Sequence, residues 1–497
     1  MTRTVDVIGA GPGGLAAAMI LSGRGIKVRM YEKNDRVGGR NAPLRVQGYT
    51  FDTGPTFLMM PEVLESIFAL AGEKASDHLD FRRLDPLYRL RFGGSLDFLP
   101  RAGKDEMLRE IEKVFPGEAS RYLGFLQRET RKYQAILPCL NVPYERPWHY
   151  MRLRLLKALP NLDAFTSVYR RVSSYFRAEE LRLSMTFQAK YLGMSPWECP
   201  ATFTILPFIE HTQGLFHVMG GLNAISQAMA KVVRAHGGEI HLNTHVERVL
   251  TEGRRVRGLR LGDGREVATE SLVVNADFAY AMHSLFDPSS RRKYTDARLE
   301  TMKYSCSTFM LYLGLDRVYD IPHHNIVFAD DYRRNLEDIA IRKVLSGDPS
   351  FYIHNPSRID PSLAPPGHSS IYILVPVPNL TSDIDWDKEK NPFRNRVMAA
   401  LEKKTELKDL TKHIVAEKVV TPKDWRDAYH VFNGATFNLA HTVDQMLYFR
   451  PHNRSDDFDN CYIVGGGTHP GSGLPTIYLS GKIAASLIEE DLGRPAV

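Results

Sequence analysis

The chain has 497 residues, of which 43% are hydrophobic and 25% are charged, and its net charge is +6. This length and composition predict a folded protein with room for two intertwined domains, and they exclude a largely disordered chain. The modest charge, without a lysine-rich tract, argues against nucleic acid as a partner. No run of about 18 apolar residues and no leader before the first strand is found, so we expect the protein in the cytoplasm or on the cytoplasmic membrane face.

Cysteine and histidine patterns give no sign of a metal centre. The sequence has no C-x-x-C spacing, no paired-histidine motif and no catalytic triad, and we therefore predict neither a disulfide framework nor a metal site. The cysteines are Cys139, Cys199, Cys306 and Cys461.

The first predicted elements are a buried strand at 5–8, a glycine turn and a helix. The glycines have the G-x-G-x-x-G spacing, in which the first permits a tight turn, the second lets the backbone approach a pyrophosphate, and the third allows close helix packing. The N-terminus of the helix favours a bound anion. The segment therefore predicts a dinucleotide site, formed by Gly9, Ala10, Gly11, Gly13 and Gly14.

A second predicted strand, 27–31, ends at Glu32. An acidic residue at this distance from the glycines accepts hydrogen bonds from ribose hydroxyls. A ribose phosphate would face this carboxylate with like charge, so the sequence favours an unphosphorylated ribose. No second G-x-G-x-x-G motif follows, and no separate NAD(P)H domain is predicted.

The next two segments, KNDRVGGR and GYTFDTGPT, distinguish a flavin nucleotide from a nicotinamide nucleotide. They resemble the extended N-terminal motif of the flavin-containing amine oxidase and carotenoid desaturase superfamily. The resemblance implies FAD as cofactor, a Gly-Gly-Arg run along the pyrophosphate, an arginine as charge-assisted partner of the phosphates, and a Gly-Pro-Thr loop near the isoalloxazine. These residues are Gly38, Gly39, Arg40, Gly54, Pro55 and Thr56.

Residues 91–215 are predicted to be mostly helical, and one part of them is basic. Within 146–171, six basic residues accompany one acidic residue, a net charge of +5. A basic amphipathic segment with tryptophan can lie in a membrane interface, and an apolar substrate would favour this interpretation. The alternative is a surface helix that packs on its own core. Apolar residues at helical spacing in this segment are Trp148, Met151, Leu155 and Leu159.

Two further segments are predicted to return to the nucleotide. Residues 216–288 form short strands, and the resemblance implies that Val246 contacts the adenine through its main chain. The C-terminal segment runs from a strand at 462–464 through a glycine-rich turn into a helix from about Pro475, whose positive end would face a phosphate or a flavin carbonyl. The predicted contacts in this second wall are Gly466, Gly467, Gly473, Leu474 and Pro475.

The predicted fold class is α/β. A Rossmann-type FAD-binding domain is assembled from three segments, 1–90, 216–288 and 453–497. The insertions 91–215 and 289–452 form an α+β substrate-binding region.

From end to end, the chain resembles the bacterial carotenoid desaturases that act on phytoene or 4,4'-diapophytoene. The motifs VGGGTHPGSGLP and GLFHVMGGLNAI carry this resemblance, and HHNIVFADDYR with GPTFLMMP favours the thirty-carbon branch. The resemblance implies stepwise removal of hydrogen from an isoprenoid hydrocarbon, with FAD as acceptor. The alternatives are a carotenoid oxygenase, an isomerase, a hydroxysqualene dehydroxylase, an amine or protoporphyrinogen oxidase, or a flavin-dependent chaperone. An oligomer is compatible with the sequence.

Three residues are candidates for a direct part in the chemistry. Glu210 lies where the family often carries an acid, and it could stabilise a cation or take a proton, or be a solvated or ion-paired glutamate. Asp52 precedes the Gly-Pro-Thr loop and is expected to hold that loop rather than react. His469, in GTHPG, is expected near the flavin, either as a catalytic group or as a residue that fixes the turn.

Overall fold

The computed structural model describes residues 4–93 and 95–494. The strands are β1 (Thr4–Ile8), β2 (Lys27–Tyr31), β3 (Pro43–Val46), β4 (Tyr49–Asp52), β5 (Phe81–Arg83), β6 (Arg89–Phe92), β7 (Leu96–Phe98), β8 (Phe216–Val218), β9 (Glu239–His241), β10 (Val246–Glu252), β11 (Arg255–Leu261), β12 (Glu266–Ala268), β13 (Ser271–Val274), β14 (Ser307–Leu315), β15 (His324–Val327), β16 (Phe351–His354), β17 (Ser369–Val377), β18 (Ile414–Val420) and β19 (Cys461–Ile463). The helices are α1 (Pro12–Gly23), α2 (Pro61–Leu70), α3 (Lys104–Val114), α4 (Ala119–Leu140), α5 (Leu153–Ala158), α6 (Val168–Ser173), α7 (Glu179–Ser184), α8 (Ile205–Gln213), α9 (Asn223–Ala235), α10 (Phe278–Tyr280), α11 (Asp296–Thr301), α12 (Tyr332–Glu337), α13 (Trp386–Lys404), α14 (Pro422–Asp427) and α15 (Leu474–Asp491).

A five-stranded parallel sheet has the order β19-β13-β1-β2-β9. Its strands come from three separated stretches of the chain. Parallel neighbours cannot be joined by a tight turn, so a crossover segment lies between each pair of strands that follow one another along the chain. The strand β1 is almost entirely buried, which its β-branched sequence favours. Helices α1, α9 and α15 pack together against this sheet, and α1 is apolar enough to be buried along nearly its whole length.

A seven-stranded sheet has the order β18-β14-β17-β16-β15-β6-β7. Every residue of β14, which lies next to the edge strand β18, is buried, and alternate side chains face opposite sides. Phe309 and Leu311 pack with α13 in one core, whereas Met310 and Tyr312 pack with Tyr49 from β4 in another. One face of this sheet therefore rests on a helix, and the other approaches the loop that follows β4.

The predicted boundary at residue 90 falls inside β6, which pairs with β15 in the seven-stranded sheet. The other predicted boundaries remain predictions. The C-terminal strand begins one residue before its predicted start, at Cys461, and the last helix begins at Leu474 rather than Pro475.

The basic segment 146–171 is not one continuous helix. Arg152 has an extended ψ of 129°, which separates a short 3-10 turn at Pro147–Met151 from α5. Of the apolar residues predicted to share one helical face, Leu155 is buried, whereas Trp148, Met151 and Leu159 are exposed. In 4–93 and 95–494, no helix is long and apolar enough to cross a membrane.

Candidate active site

The glycine turn after β1 is closed by Asn275, which directly follows β13. Gly9 has a φ of +87°, and a Cβ on it would lie 2.4 Å from the Asn275 carbonyl oxygen. A Cβ on Gly11 or Gly13 would lie 2.7 or 3.0 Å from the Asn275 side chain, and a Cβ on Gly14 would lie 2.6 Å from the Gly9 carbonyl oxygen. The turn therefore requires small residues, and it leads into the N-terminus of α1, which favours an anion.

Glu32 lies at the end of β2, beside this turn. Its Oε2 accepts the backbone N–H of Ala10 at 2.9 Å, and its Oε1 accepts the backbone N–H of Asn34 at 2.9 Å. The Glu32 carbonyl oxygen accepts the N–H of Thr244 at 2.8 Å, which brings the buried Val246 at the start of β10 to the same region. The residues predicted to meet the ribose and the adenine are thus neighbours.

The Gly-Gly-Arg run lies against the first glycine turn. The N–H of Gly38 donates to the Ala10 carbonyl oxygen at 2.7 Å. A Cβ on Gly39 would lie 3.6 Å from the Gly11 Cα, and Gly38 has a φ of +114°, which side chains rarely tolerate. Two segments of backbone therefore form one cradle.

Arg40 directs a guanidinium group into this region. It donates to the Thr436 carbonyl oxygen at 3.1 Å and to Asn438 Oδ1 at 3.2 Å. Burial lowers the pKa of Arg40, and the charge of Asp277 opposes this shift. Among the described residues, no carboxylate lies within ion-pair distance of it, so its charge is available to a phosphate.

The Gly-Pro-Thr loop is held between Arg40 and the seven-stranded sheet. A Cβ on Gly54 would lie 2.9 Å from the Arg40 carbonyl oxygen, and the Gly54 carbonyl accepts the hydroxyl of Tyr372 from β17 at 3.0 Å. Thr56 Oγ1 is hydrogen-bonded to the hydroxyl of Tyr352 from β16 at 2.7 Å. The loop, Gly54, Pro55 and Thr56, is therefore fixed from both sides.

The C-terminal glycine turn reaches the same cradle. A Cβ on Gly13 would lie 3.3 Å from the backbone nitrogen of Gly465. A Cβ on Gly466 would lie 2.6 Å from the Asn438 amide nitrogen, and one on Gly467 would lie 2.6 Å from a side chain of α10. The close approach of these side chains to the turn explains why it is built from glycine.

Helix α15 begins next to this turn. Gly473, with a φ of +110°, directly precedes Leu474 and Pro475, its first residues. A Cβ on Gly481 would lie 2.5 Å from the Gly13 carbonyl oxygen, so α15 and α1 meet backbone to backbone. Both helices follow strands of the parallel sheet, and their N-termini offer N–H groups at one edge. The cradle, the free charge of Arg40 and these N-termini fit a dinucleotide such as FAD.

Asp52 is buried at the end of β4 and connects this loop to the turn before α9. Its Oδ1 accepts the backbone N–H of Asn223 at 3.4 Å, and a Cβ on Gly221 would lie 2.8 Å from the same oxygen. Burial raises the pKa of Asp52 to about 6, although His217 and Asn223 oppose the shift. These contacts favour the interpretation that Asp52 positions the Gly-Pro-Thr loop.

Glu210 is fully buried on α8. Its Oε2 accepts hydrogen bonds from the Tyr88 hydroxyl at 3.0 Å and from Gln188 Nε2 at 2.9 Å. Burial raises its pKa to about 7, although the neighbouring donors oppose the shift. Glu210 is not solvated, and the described residues include no cation within ion-pair distance. A carboxyl group in this state can exchange a proton near neutral pH.

His469 is also buried, and it connects the C-terminal turn to the helical insertion. Its Nε2–H donates to the Val142 carbonyl oxygen at 2.9 Å, and its backbone N–H donates to the Pro451 carbonyl oxygen at 3.0 Å. Burial lowers its pKa to about 3, so the ring is neutral. These bonds favour a role in fixing the turn.

The model of the family described as flavin containing amine oxidoreductase matches residues 12–488. The chain belongs to this family. A 4,4'-diapophytoene desaturase (4,4'-diapolycopene-forming) from Methylomonas sp is 47% identical, over 98% of this chain and 96% of the relative. An all-trans-zeta-carotene desaturase from Myxococcus xanthus is 39% identical, over 99% and 94%. The expected membership of the carotenoid desaturase group is confirmed.

Solved structures agree on the fold. An oxidoreductase from Methanosarcina mazei has a TM-score of 0.65 at 16% identity and covers 98% of this chain and 100% of its own. Putrescine oxidase bound to putrescine has a TM-score of 0.65 at 13% identity and covers 99% and 100%. The predicted α/β fold is thereby confirmed. The family match and the desaturase relative confirm FAD as cofactor and a flavin-dependent oxidoreductase.

An arginine close to the C-terminal glycine turn also contributes to this region of the oxidoreductase. Arg450 is fully buried and donates to the carbonyl oxygens of Gly466 at 2.6 Å and Thr468 at 3.0 Å. It thereby supports the C-terminal glycine turn, which is the predicted second wall of the flavin site. Asn275, directly after β13, and Asn438, in a loop, approach these glycines and were not predicted, because a single asparagine carries no sequence signal of its own.

Proposed function

We propose that this oxidoreductase introduces double bonds stepwise into a linear isoprenoid hydrocarbon, and that its substrate is 4,4'-diapophytoene. The observation that carries the proposal is the 47% identity, over nearly the full length of both chains, to the Methylomonas sp desaturase of that name. A phytoene desaturase (lycopene-forming) from Pantoea ananas is 35% identical over 99% of this chain, so the forty-carbon hydrocarbon is the alternative substrate.

The proposed cofactor site consists of the glycine cradle, Glu32, Arg40, the Gly-Pro-Thr loop, Val246 and the start of α15. Bound FAD supplies the acceptor for a hydride from a CH2–CH2 unit. The substrate offers no hydrogen-bonding group, so its binding depends on buried apolar area, at about 25 cal/mol per Å². The protein must align that unit with the cofactor and exclude water.

Loss of a proton from the neighbouring carbon completes each double bond. We assign this proton to the Glu210 carboxylate, which is buried and ionises near neutral pH. Tyr88 and Gln188 hold its Oε2 and thereby orient the group. Asp52 and His469 are assigned positioning roles, for the Gly-Pro-Thr loop and the C-terminal turn.

We further propose that the enzyme is peripheral on the cytoplasmic face of a membrane, which holds its apolar substrate. The supporting observation is a patch of exposed apolar side chains, here called the apolar patch, within the basic segment: Trp148 (58% exposed), Met151 (75%), Leu153 (67%) and Phe165 (98%). Arginine and lysine side chains flank the patch in sequence, and an anionic surface attracts them.

The product spectrum tests the function. Co-expression with a diapophytoene synthase should yield red-shifted hydrocarbon polyenes, whereas co-expression with a phytoene synthase should yield fewer. An empty vector supplies the control. Aldehydes or carboxylic acids as the products would identify an oxygenase instead, and unchanged precursor in both strains would contradict the proposal.

A further inference from the structure

Three buried histidines from distant parts of the chain converge at one point. His217 lies in β8, His323 directly before β15, and His354 at the end of β16. One ring nitrogen from each lies within 4.8 Å of the others. Their residues are 0%, 6% and 1% exposed, so this convergence is in the interior.

Each of the three rings has a nitrogen without a partner. In the part of the chain that the structure describes, His217 Nδ1, His323 Nε2 and His354 Nε2 make no hydrogen bond. Buried polar atoms are normally paired, and three converging rings that each carry an unpaired nitrogen are unusual unless they share a ligand.

The first ring is oriented by a carboxylate. His217 Nε2 lies 3.1 Å from Asp360 Oδ2, which also accepts the backbone N–H of Gly220 at 2.6 Å. The other oxygen of Asp360 accepts the N–H of Ser362 at 3.2 Å. When the Nε2–H of His217 donates to this fixed carboxylate, its Nδ1 keeps a free lone pair for a ligand. Carboxylates commonly hold metal-binding histidines in this way.

The second ring is oriented by a chain of hydrogen bonds. His323 Nδ1 lies 3.0 Å from His324 Nε2, and His324 Nδ1 lies 2.5 Å from the Tyr352 hydroxyl. Tyr352 in turn lies 2.7 Å from Thr56 Oγ1. Donation from His323 through His324 and Tyr352 to Thr56 gives both Nδ1–H groups and the tyrosine hydroxyl an acceptor, and it leaves the Nε2 lone pair of His323 free.

We infer that His217, His323 and His354 bind a divalent cation of the Zn²⁺ class, with a fourth position open to water. Imidazole nitrogens suit zinc and its transition-metal neighbours. With Zn–N bonds of about 2.0–2.1 Å, tetrahedral ligands lie about 3.3 Å apart, so binding draws the rings together. The ion fastens β8 to the seven-stranded sheet, a role that does not depend on the proposed desaturation.

Metal analysis of the FAD-loaded enzyme tests the inference. After growth with Zn²⁺ or Co²⁺ and extensive dialysis, we expect roughly one ion per chain and, for Co²⁺, visible absorption of a tetrahedral nitrogen site. His217→Gln and His354→Gln should lose the ion. Asp360→Asn should weaken its binding by about 10- to 100-fold. The control is His283→Gln, which changes an exposed histidine that pairs with Asp296 and should keep the full metal content.

Wild-type protein that holds FAD but no metal beyond a dialysed blank would overturn the inference. The same holds if the three variants keep the wild-type metal content. A glutamine variant that fails to fold does not spoil the test. The metal content of the wild type and the metal affinity of Asp360→Asn each test the inference without it. FAD content and the melting temperature report folding for each variant.

Discussion

At the scale of single residues, Glu210 combines complete burial with a pKa of about 7. Replacement by glutamine keeps the size and the hydrogen-bonding oxygen but cannot accept a proton. We expect Glu210→Gln to lower kcat by about 10²- to 10⁴-fold, with FAD content unchanged. The wild-type rate should rise with pH as the carboxyl group ionises near pH 7, and the variant should lose this rise.

Stability has the opposite dependence on pH. The folded pKa of Glu210 is raised from 4.5 to about 7, so its contribution to stability is fully present below pH 4.5 and is lost as pH rises through 7. Glutamine should remove this part of the pH dependence of the melting temperature. Glu106→Gln, at an exposed site on α3, is the control. A kcat within twofold of wild type for Glu210→Gln would contradict the assigned role.

The same residue shows what sequence can and cannot predict. An acid before a glycine segment marked Glu210 as a candidate, but its two orienting partners, Tyr88 and Gln188, lie 122 and 22 positions away. No local pattern links such residues. The glycine turn and Glu32 were predictable because one strand–turn–helix unit holds them, whereas Asn275 reaches that turn from 266 positions away. The histidine cluster was missed for the same reason, since its members share no spacing.

At the scale of elements, the contact between α1 and α15 depends on Gly481. A Cβ there would lie 2.5 Å from the Gly13 carbonyl oxygen. The clash is with backbone of α1, which cannot move aside as the end of a flexible side chain can. We expect Gly481→Ala to destabilise the protein by about 1–3 kcal/mol and to weaken FAD retention, because the helices separate beside the cradle. Thermal unfolding and the ratio of flavin to protein absorbance measure both effects.

Gly124 in α4 provides a matched control. A Cβ on Gly124 meets nothing within 4 Å, so Gly124→Ala adds the same methyl group to a helix without a clash. Alanine is favoured over glycine in helices by about 0.5–1 kcal/mol, and this variant should be slightly more stable. Equal melting temperatures for the two variants would contradict close packing at Gly481. Small residues in the last helix were visible in the sequence, but the partner that they meet was not.

At the scale of the whole molecule, the chain returns to one parallel sheet from three separated stretches. The packing of the insertions was less predictable. The strand β6 has only four residues, too few for a period of two to be distinguished, and its parallel pairing with β15 joins positions more than 200 residues apart. Short strands take their place from tertiary pairing, which a local pattern does not contain.

The apolar patch leads to a prediction about the whole protein on a membrane. Met151→Asp with Leu153→Asp places two charges where these side chains are 75% and 67% exposed. Folding and FAD content should not change, because little packing is lost. Binding to anionic vesicles and turnover of vesicle-borne substrate should fall at least tenfold, because charged side chains resist transfer into the interface.

The matched control is Val318→Asp with Ile341→Asp, which changes two exposed apolar residues, 45% and 66% exposed, outside the basic segment. Cosedimentation with vesicles, measured at low and high salt, separates the apolar contribution to binding from the electrostatic one. Wild-type binding should weaken with salt because the flanking arginines and lysines act through screened charge. Vesicle binding by the Met151/Leu153 variant equal to wild type, or an equal loss in the control, would show that the patch does not dock the enzyme.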